Sequence, residues 1–187
     1  MTRPCMIEVE RKYRGCTSVV AEVETIAEPV AAPVLQTDLY MNAPDRDFAE
    51  TDEALRIRST EVADGEAEVV ITFKGPKSPA AVKARREVEV GVDEFDMAAA
   101  LFDALGYISV AEVRKHRRHY DWAGIDVSID TLASGGQYIE LECAVTGEEA
   151  VEKADAEIAA RAAELGLSDA DLEPRSYLEL TLGYEQE

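Results

Sequence analysis

Residues 6–13 read MIEVERKY, and the alternation in this stretch decides which kind of fold the chain can adopt. In a β-strand, side chains two residues apart lie on the same face. Glu8, Glu10 and Lys12 therefore share one face, and the opposite face carries mainly apolar side chains. The stretch predicts a strand with one ionisable face and one face suited to packing.

The same alternation recurs along most of the chain. It predicts further strands at 54–59, 68–74, 85–90, 113–122, 125–132 and 137–145. Helical patterns lie at 17–27, 92–105, 146–165 and 176–182. Strands dominate, and no strand–helix–strand rhythm repeats. We therefore expect a single α+β domain over residues 1–187, built as a closed or nearly closed antiparallel barrel with helices packed outside it.

The composition narrows the class of protein. Thirty-nine acidic against nineteen basic residues give a net charge of -20, which would repel DNA or RNA and disfavours a nucleic-acid binder. The sequence contains no run of eighteen apolar residues, so no membrane span is predicted. The charged N-terminus does not resemble a signal peptide, and we therefore expect a cytoplasmic protein. The acidic, lysine-poor composition also favours a halophilic protein that works in concentrated salt.

The ionisable strand faces are unusual for so acidic a chain. A solvated outer face is the ordinary interpretation of any one of them, but such a face should carry mostly Asp and Glu here. Together the faces instead hold three of the six lysines in the chain. This concentration favours an internal polar cavity that binds an anion. The seven basic residues on these faces are Lys12, Arg56, Arg58, Lys74, Arg85, Lys115 and Arg117.

Both charge types on the same faces point to phosphate chemistry. Arginine offers planar forks and lysine point charges to a polyphosphate. Carboxylates alone would repel that anion, but they become useful if they hold Mg²⁺ or Mn²⁺, hard cations that bridge to phosphate oxygens. The faces therefore predict a metal-assisted site for a polyphosphate.

A series of motifs follows in order from residue 7 to about 182. They are Glu8-x-Glu10-x-Lys12, QTDLY at 36–40, TDEALRIR at 51–58, TFKGPK at 72–77, Arg85-x-Glu87-x-Glu89, Lys115-x-Arg117, Ile129-Asp130 and YIELE at 138–142. This set resembles the CYTH superfamily, the triphosphate tunnel metalloenzymes, in its class IV adenylate cyclase branch.

The resemblance implies an eight-stranded antiparallel β-barrel, closed around a tunnel that is open at both ends and holds a triphosphate. It implies that the seven basic residues bind phosphate. It places the metal ligands at Glu8, Glu10, Asp130, Glu140 and Glu142. The predicted catalytic residues are Glu10, Lys12, Asp130 and Arg117.

Three functions fit this resemblance. The leading one converts ATP to cyclic AMP and pyrophosphate, and the second hydrolyses an inorganic or organic triphosphate such as thiamine triphosphate. A non-catalytic sensor of nucleotides or polyphosphate is the third, but it would not need the acidic residues. The expected partner is a nucleoside or inorganic triphosphate, and the resemblance is compatible with a homodimer. Two residues lack a firm role: His119 is either a proton shuttle or a lining residue, and Arg86 is unexplained.

Overall fold

The computed structural model describes residues 6–62, 65, 67–77 and 85–183, without the side chains of Met6, Lys77, Arg85, Arg86 and Glu148. The strands in this part are β1 (Met6–Arg14), β2 (Glu28–Pro29), β3 (Val34–Asn42), β4 (Ala54–Val62), β5 (Glu68–Lys77), β6 (Arg85–Val92), β7 (Ile108–Trp122), β8 (Ile125–Leu132) and β9 (Gln137–Thr146). The helices are α1 (Thr17–Ile26), α2 (Phe95–Ala104), α3 (Val151–Glu164) and α4 (Tyr177–Leu182). None of the helices in these ranges has the length and apolarity to cross a membrane.

One antiparallel sheet contains all these strands. Its order is β1-β9-β8-β7-β3-β4-β5-β6, and the short β2 pairs with β7. The sheet curls until its two edge strands, β1 and β6, contact each other. Across this junction, Glu87 and Glu89 of β6 help to raise the pKa of Glu8 on β1, after the larger effect of burial. Within the described ranges β1 and β6 form no hydrogen-bonded pair. The α+β class is thus confirmed as a curled sheet of eight main strands, and the closed barrel stays a prediction.

Most apolar strand faces point outward and are covered by α1, α2 and α3. Helix α4 instead packs on the inner face, where Tyr177 lies beside Val113 and Leu132, so the expectation that the helices pack outside is wrong for α4. Val9 on β1 and Leu141 on β9 are fully buried against a core that includes Val23 of α1 and Ile158 of α3. A second core joins β3, β4 and β5 to Ala98 of α2. Successive side chains of a strand point to opposite faces, so the ionisable faces of these strands line the interior of the curled sheet.

Several element boundaries differ from the sequence predictions. Strand β3 was missing from the predicted strands, because Thr37 interrupts the apolar alternation between Leu35 and Leu39. The predicted strand at 68–74 continues to Lys77 in β5. Helix α3 begins at Val151 rather than at residue 146, because β9 continues to Thr146 and Gly147 then adopts a positive φ of 91°. The predicted start of this helix at residue 146 is therefore wrong.

Candidate functional site

Charged side chains are buried in the interior of the sheet, where a protein rarely places them without partners. Lys115 is 2% exposed, Asp130 0% and Lys12 3%. All three belong to the ionisable strand faces identified from the alternation. The alternation of side chains along the strands therefore directs Lys12 and Lys115 inward, where each lies near a carboxylate.

Asp130 on β8 is the hub of the central network. Its Oδ2 accepts a hydrogen bond from Lys115 Nζ at 2.9 Å, and its Oδ1 accepts one from Arg117 Nε at 2.8 Å. Arg117 also pairs with Glu140 on β9, whose Oε1 lies 3.8 Å from Lys12 Nζ. Burial alone would raise the pKa of Asp130, but Lys115 and Arg117 lower it well below its usual range. The network therefore holds three cations around two ionised carboxylates.

Asp38 on β3 organises a second pair of cations. Arg58 donates from Nε and Nη2 to the two carboxylate oxygens of Asp38, each at 2.6 Å. Arg56 Nη1 lies 3.8 Å from the same carboxylate. Asp38 is 1% exposed, and sequence reasoning did not select it. The QTDLY motif could have identified Asp38 as a site residue. Gln36, Asp38 and Tyr40 alternate onto one face of β3, which lies beside Arg56 and Arg58 of β4.

Lys74 on β5 pairs with Glu87 on β6, another residue that the sequence analysis did not assign to the site. This contact lies near the junction of the sheet edges, since Lys74 and Glu87 both affect the pKa of Glu8. The remaining predicted phosphate ligand, Arg85, begins β6, and its side chain lies outside the described residues.

The five predicted metal ligands fall into two groups. Asp130 and Glu140 are paired with the central cations, whereas Glu8, Glu10 and Glu142 form an acidic cluster near the junction between β1 and β6. Glu142 lies opposite Glu10 in the β1–β9 register. Burial, followed by Glu8, Glu10 and Glu140, raises the pKa of Glu142 to about 7. Mutual repulsion of this kind marks a place where a cation would be favourable.

The acidic cluster has the donor chemistry of a magnesium or manganese site, because both ions prefer carboxylate oxygens. In the part of the chain that the structure describes, no three acidic, histidine or cysteine side chains converge as a preformed metal cage. Mg²⁺ does not require one, since it commonly uses one or two carboxylates together with water and substrate phosphates. The residues present therefore fit such an ion.

Among the residues that the structure describes, three buried side-chain atoms lack a hydrogen-bond partner: Gln36 Oε1, Arg56 Nε and Tyr177 Oη. Leaving such atoms unpaired in a buried place is costly. Gln36 is 8% exposed and lies opposite Lys115 in the β3–β7 register. These atoms are available to form hydrogen bonds with water or with a bound polar molecule.

His119 lies on the same face of β7 as Arg117 but is not part of the buried network. Its Nε2 is 3.3 Å from Asp126 Oδ1, and the two side chains are 40% and 52% exposed. The position fits a lining residue at the end of the interior. A proton-shuttle role for His119 stays a prediction, and the side chain of Arg86 lies outside the described residues.

Comparison with known proteins adds an independent line of evidence. The family model of the CYTH domain matches residues 6–177. A Methanocaldococcus jannaschii protein with the provisional name adenylate cyclase is 34% identical over 177 residues, covering 94% of this chain and 98% of that protein. Adenylate cyclase CyaB of Aeromonas hydrophila is 29% identical over 177 residues, covering 91% and 86%. The structure of a Pyrococcus horikoshii protein superposes with a TM-score of 0.86 at 35% identity, covering 94% of this chain and 98% of that one.

Proposed function

This chain belongs to the CYTH family, and on that premise we propose that it is a metal-dependent enzyme that converts ATP to cyclic AMP and pyrophosphate. The observation that carries the proposal is the buried cation network, in which Lys12, Lys115 and Arg117 surround Asp130 and Glu140 inside the curled sheet. A network of this kind presents positive charge to a polyanion in a place with little competing water.

The cations have the chemistry needed to bind a triphosphate. Arg58 and Arg117 are held by Asp38 and Asp130 through two-point contacts, which orient their guanidinium groups before substrate arrives. Burial and then Arg117 lower the pKa of Lys115 to about 8. Lys115 therefore stays mainly protonated at pH 7 and contributes a positive charge. Binding would exchange part of the carboxylate contacts for contacts with phosphate oxygens.

Glu8, Glu10 and Glu142 are the residues that would hold Mg²⁺ or Mn²⁺, with Asp130 and Glu140 as the other predicted ligands. When bound, such an ion neutralises charge on phosphate oxygens and makes a hydroxyl group easier to deprotonate. Cyclisation requires attack of the ribose 3′-hydroxyl on the α-phosphorus with departure of pyrophosphate. The lysines and arginines of the interior would stabilise the negative charge that develops on that leaving group.

A triphosphatase is the second candidate. The charged lining is suited to phosphate oxygens, which ATP shares with inorganic and other organic triphosphates. The same side chains would therefore serve attack by water on a phosphoryl group. The alignment of nucleophile and phosphorus separates the two reactions.

The decisive experiment measures products separately. The protein is incubated with ATP or with inorganic triphosphate, in Mg²⁺ or Mn²⁺, and cyclic AMP, pyrophosphate and orthophosphate are quantified. Cyclic AMP with an equal amount of pyrophosphate supports the cyclase, and orthophosphate release supports the triphosphatase. Binding of triphosphate without turnover under any of these conditions would leave only a sensor, and undiminished turnover in excess chelator would contradict the metal requirement.

A further inference from the structure

Tyr177, the first residue of α4, contacts two lysines of the central network. Lys12 Nζ lies 4.2 Å from the centroid of its ring, and Lys115 Nζ lies 4.4 Å from the same centroid. The two lysines come from β1 and β7, which are not neighbours in the sheet. Tyr177 is 7% exposed, so these contacts are formed away from bulk water, where a cation–π interaction is strongest.

The Tyr177 ring attracts both ammonium groups without adding a negative charge to the site. The two ammonium groups carry like charge, and the carboxylates that pair with them, Glu140 and Asp130, would also repel a phosphate. The face of an aromatic ring is attractive to cations because of its quadrupole, yet it has no net charge. Tyr177 can therefore hold both lysines without opposing the anion that they bind.

The segment that contains Tyr177 is fastened to the same part of the sheet. The backbone N–H of Glu173 donates to the carbonyl of Lys12 at 2.8 Å. Ser176 and Glu179 form a capping box at the start of α4. The Tyr177 ring also packs edge-on against Tyr138, with centroids 5.6 Å apart, and joins a small core with Val113 and Leu132. These contacts determine where the ring lies relative to Lys12 and Lys115.

We propose that Tyr177 is a positioning residue that holds the ammonium groups of Lys12 and Lys115 for triphosphate binding. This inference rests on the proposed function, since it concerns the same site. The ring itself need not contact the substrate. Its effect is to keep both lysines directed into the interior when phosphate oxygens take over part of the contacts that Asp130 and Glu140 make.

The experiment is a calorimetric titration of the full chain with inorganic triphosphate. Tyr177→Leu should weaken binding by tenfold or more, whereas Tyr177→Phe, which keeps the ring face, should bind within about threefold of wild type. Leu180→Ala is the matched control, because Leu180 packs on the same small core from the same helix. It should leave binding nearly unchanged, with melting temperatures reported for all variants.

A graded series separates cation attraction from shape. Phenylalanine and its trifluorinated and pentafluorinated analogues, placed at position 177, have similar size but progressively weaker ring quadrupoles. Triphosphate affinity should fall steadily along the series. Equal affinity along it, or wild-type binding by a folded Tyr177→Leu variant, would overturn the role of Tyr177. Failure of the wild-type protein to bind triphosphate would instead overturn the proposed function and the inference with it. If Tyr177→Leu does not fold, the fluorinated series decides.

Discussion

Arg117 on β7 and Asp130 on β8 face each other across the strand pair and form a two-point ion pair, with Nε–Oδ1 at 2.8 Å and Nη2–Oδ2 at 2.5 Å. Asp130 is completely buried and also accepts a hydrogen bond from Lys115. This carboxylate therefore holds in place two buried cations that are predicted to bind phosphate. Its predicted role as a metal ligand stays a prediction.

Asp130→Asn should strongly destabilise the fold. The substitution leaves Lys115 and Arg117 with one ionised partner fewer, and removing one member of a buried pair typically costs about 3–5 kcal/mol. Urea unfolding at pH 7 measures the change. Asp126→Asn is the control, because Asp126 lies on the same face of β8 and is 52% exposed. It should change stability by less than about 0.5 kcal/mol. Equal effects of the two substitutions would contradict the buried network.

Glu142→Gln should stabilise the protein at alkaline pH. Because folding raises the pKa of Glu142 from its ordinary 4.5 to about 7, the folded state holds this proton more tightly than the unfolded chain. The contribution of Glu142 to stability therefore falls as pH rises from about 4.5 to about 7 and stays low above that range. At pH 8 the variant should be more stable than wild type by about 1–3 kcal/mol.

The pH dependence is the test of this assignment. Urea unfolding of both proteins at pH 4, 6 and 8 should show a difference that is smallest at pH 4, where Glu142 is protonated in the folded and the unfolded chain. A difference that is constant with pH would mean that Glu142 ionises normally. Mg²⁺ at pH 8 should stabilise the wild type more than the variant, because a bound cation relieves the repulsion within the acidic cluster.

Arg58→Lys should weaken triphosphate binding about tenfold. Lysine keeps the charge but loses the planar fork that meets both oxygens of Asp38, and with it the orientation toward phosphate. Arg46→Lys provides a matched control, since Arg46 makes a similar two-point contact with Glu53 outside the interior, at 2.7 Å and 3.0 Å. Titration with inorganic triphosphate should distinguish the two. Unchanged KM and kcat in Arg58→Lys would count against a phosphate role.

Glu10→Gln should abolish turnover and leave the fold intact. The substitution keeps the size of the side chain but removes its charge, so a divalent cation would lose one of its predicted ligands. Activity is measured across a Mg²⁺ and Mn²⁺ series, and circular dichroism reports the fold. Glu164→Gln on the exposed surface of α3 is the control and should retain full activity. Wild-type turnover by Glu10→Gln would exclude Glu10 from the metal site.

The acidic composition predicts that salt stabilises the fold. A net charge of -20 produces self-repulsion that acts over a Debye length of about 30 Å at 0.01 M salt and about 3 Å at 1 M. The melting temperature should therefore rise steeply with KCl into the molar range. Triphosphate binding should weaken over the same series, because salt also screens the basic lining. A melting temperature that is flat across the series would refute the halophilic interpretation.

Local alternation was sufficient to predict which residues share a strand face, and hence that Lys12, Lys115 and Arg117 belong to one charged surface. It failed where the pattern is broken. Because Thr37 interrupts the apolar alternation, β3 was not predicted as a strand, and Asp38 was not assigned to the site. The QTDLY motif that contains Asp38 was nevertheless part of the family resemblance. The start of α3 was predicted too early, because a sequence pattern alone does not reveal how far the preceding strand, β9, continues through its pairing with β1 and β8.

The amino-acid sequence alone determined the two-residue period of the strands and the order of the CYTH motifs, because both are properties of neighbouring residues. Only the tertiary structure decided that Asp130 pairs with Arg117 and Lys115 while Glu142 lies with Glu8 and Glu10. It also decided that Tyr177, far along the chain, lies over Lys12. Such pairings follow from strand register and from the need of every buried charge for a partner. These partners come from segments that are distant in the sequence, so the sequence alone does not show them.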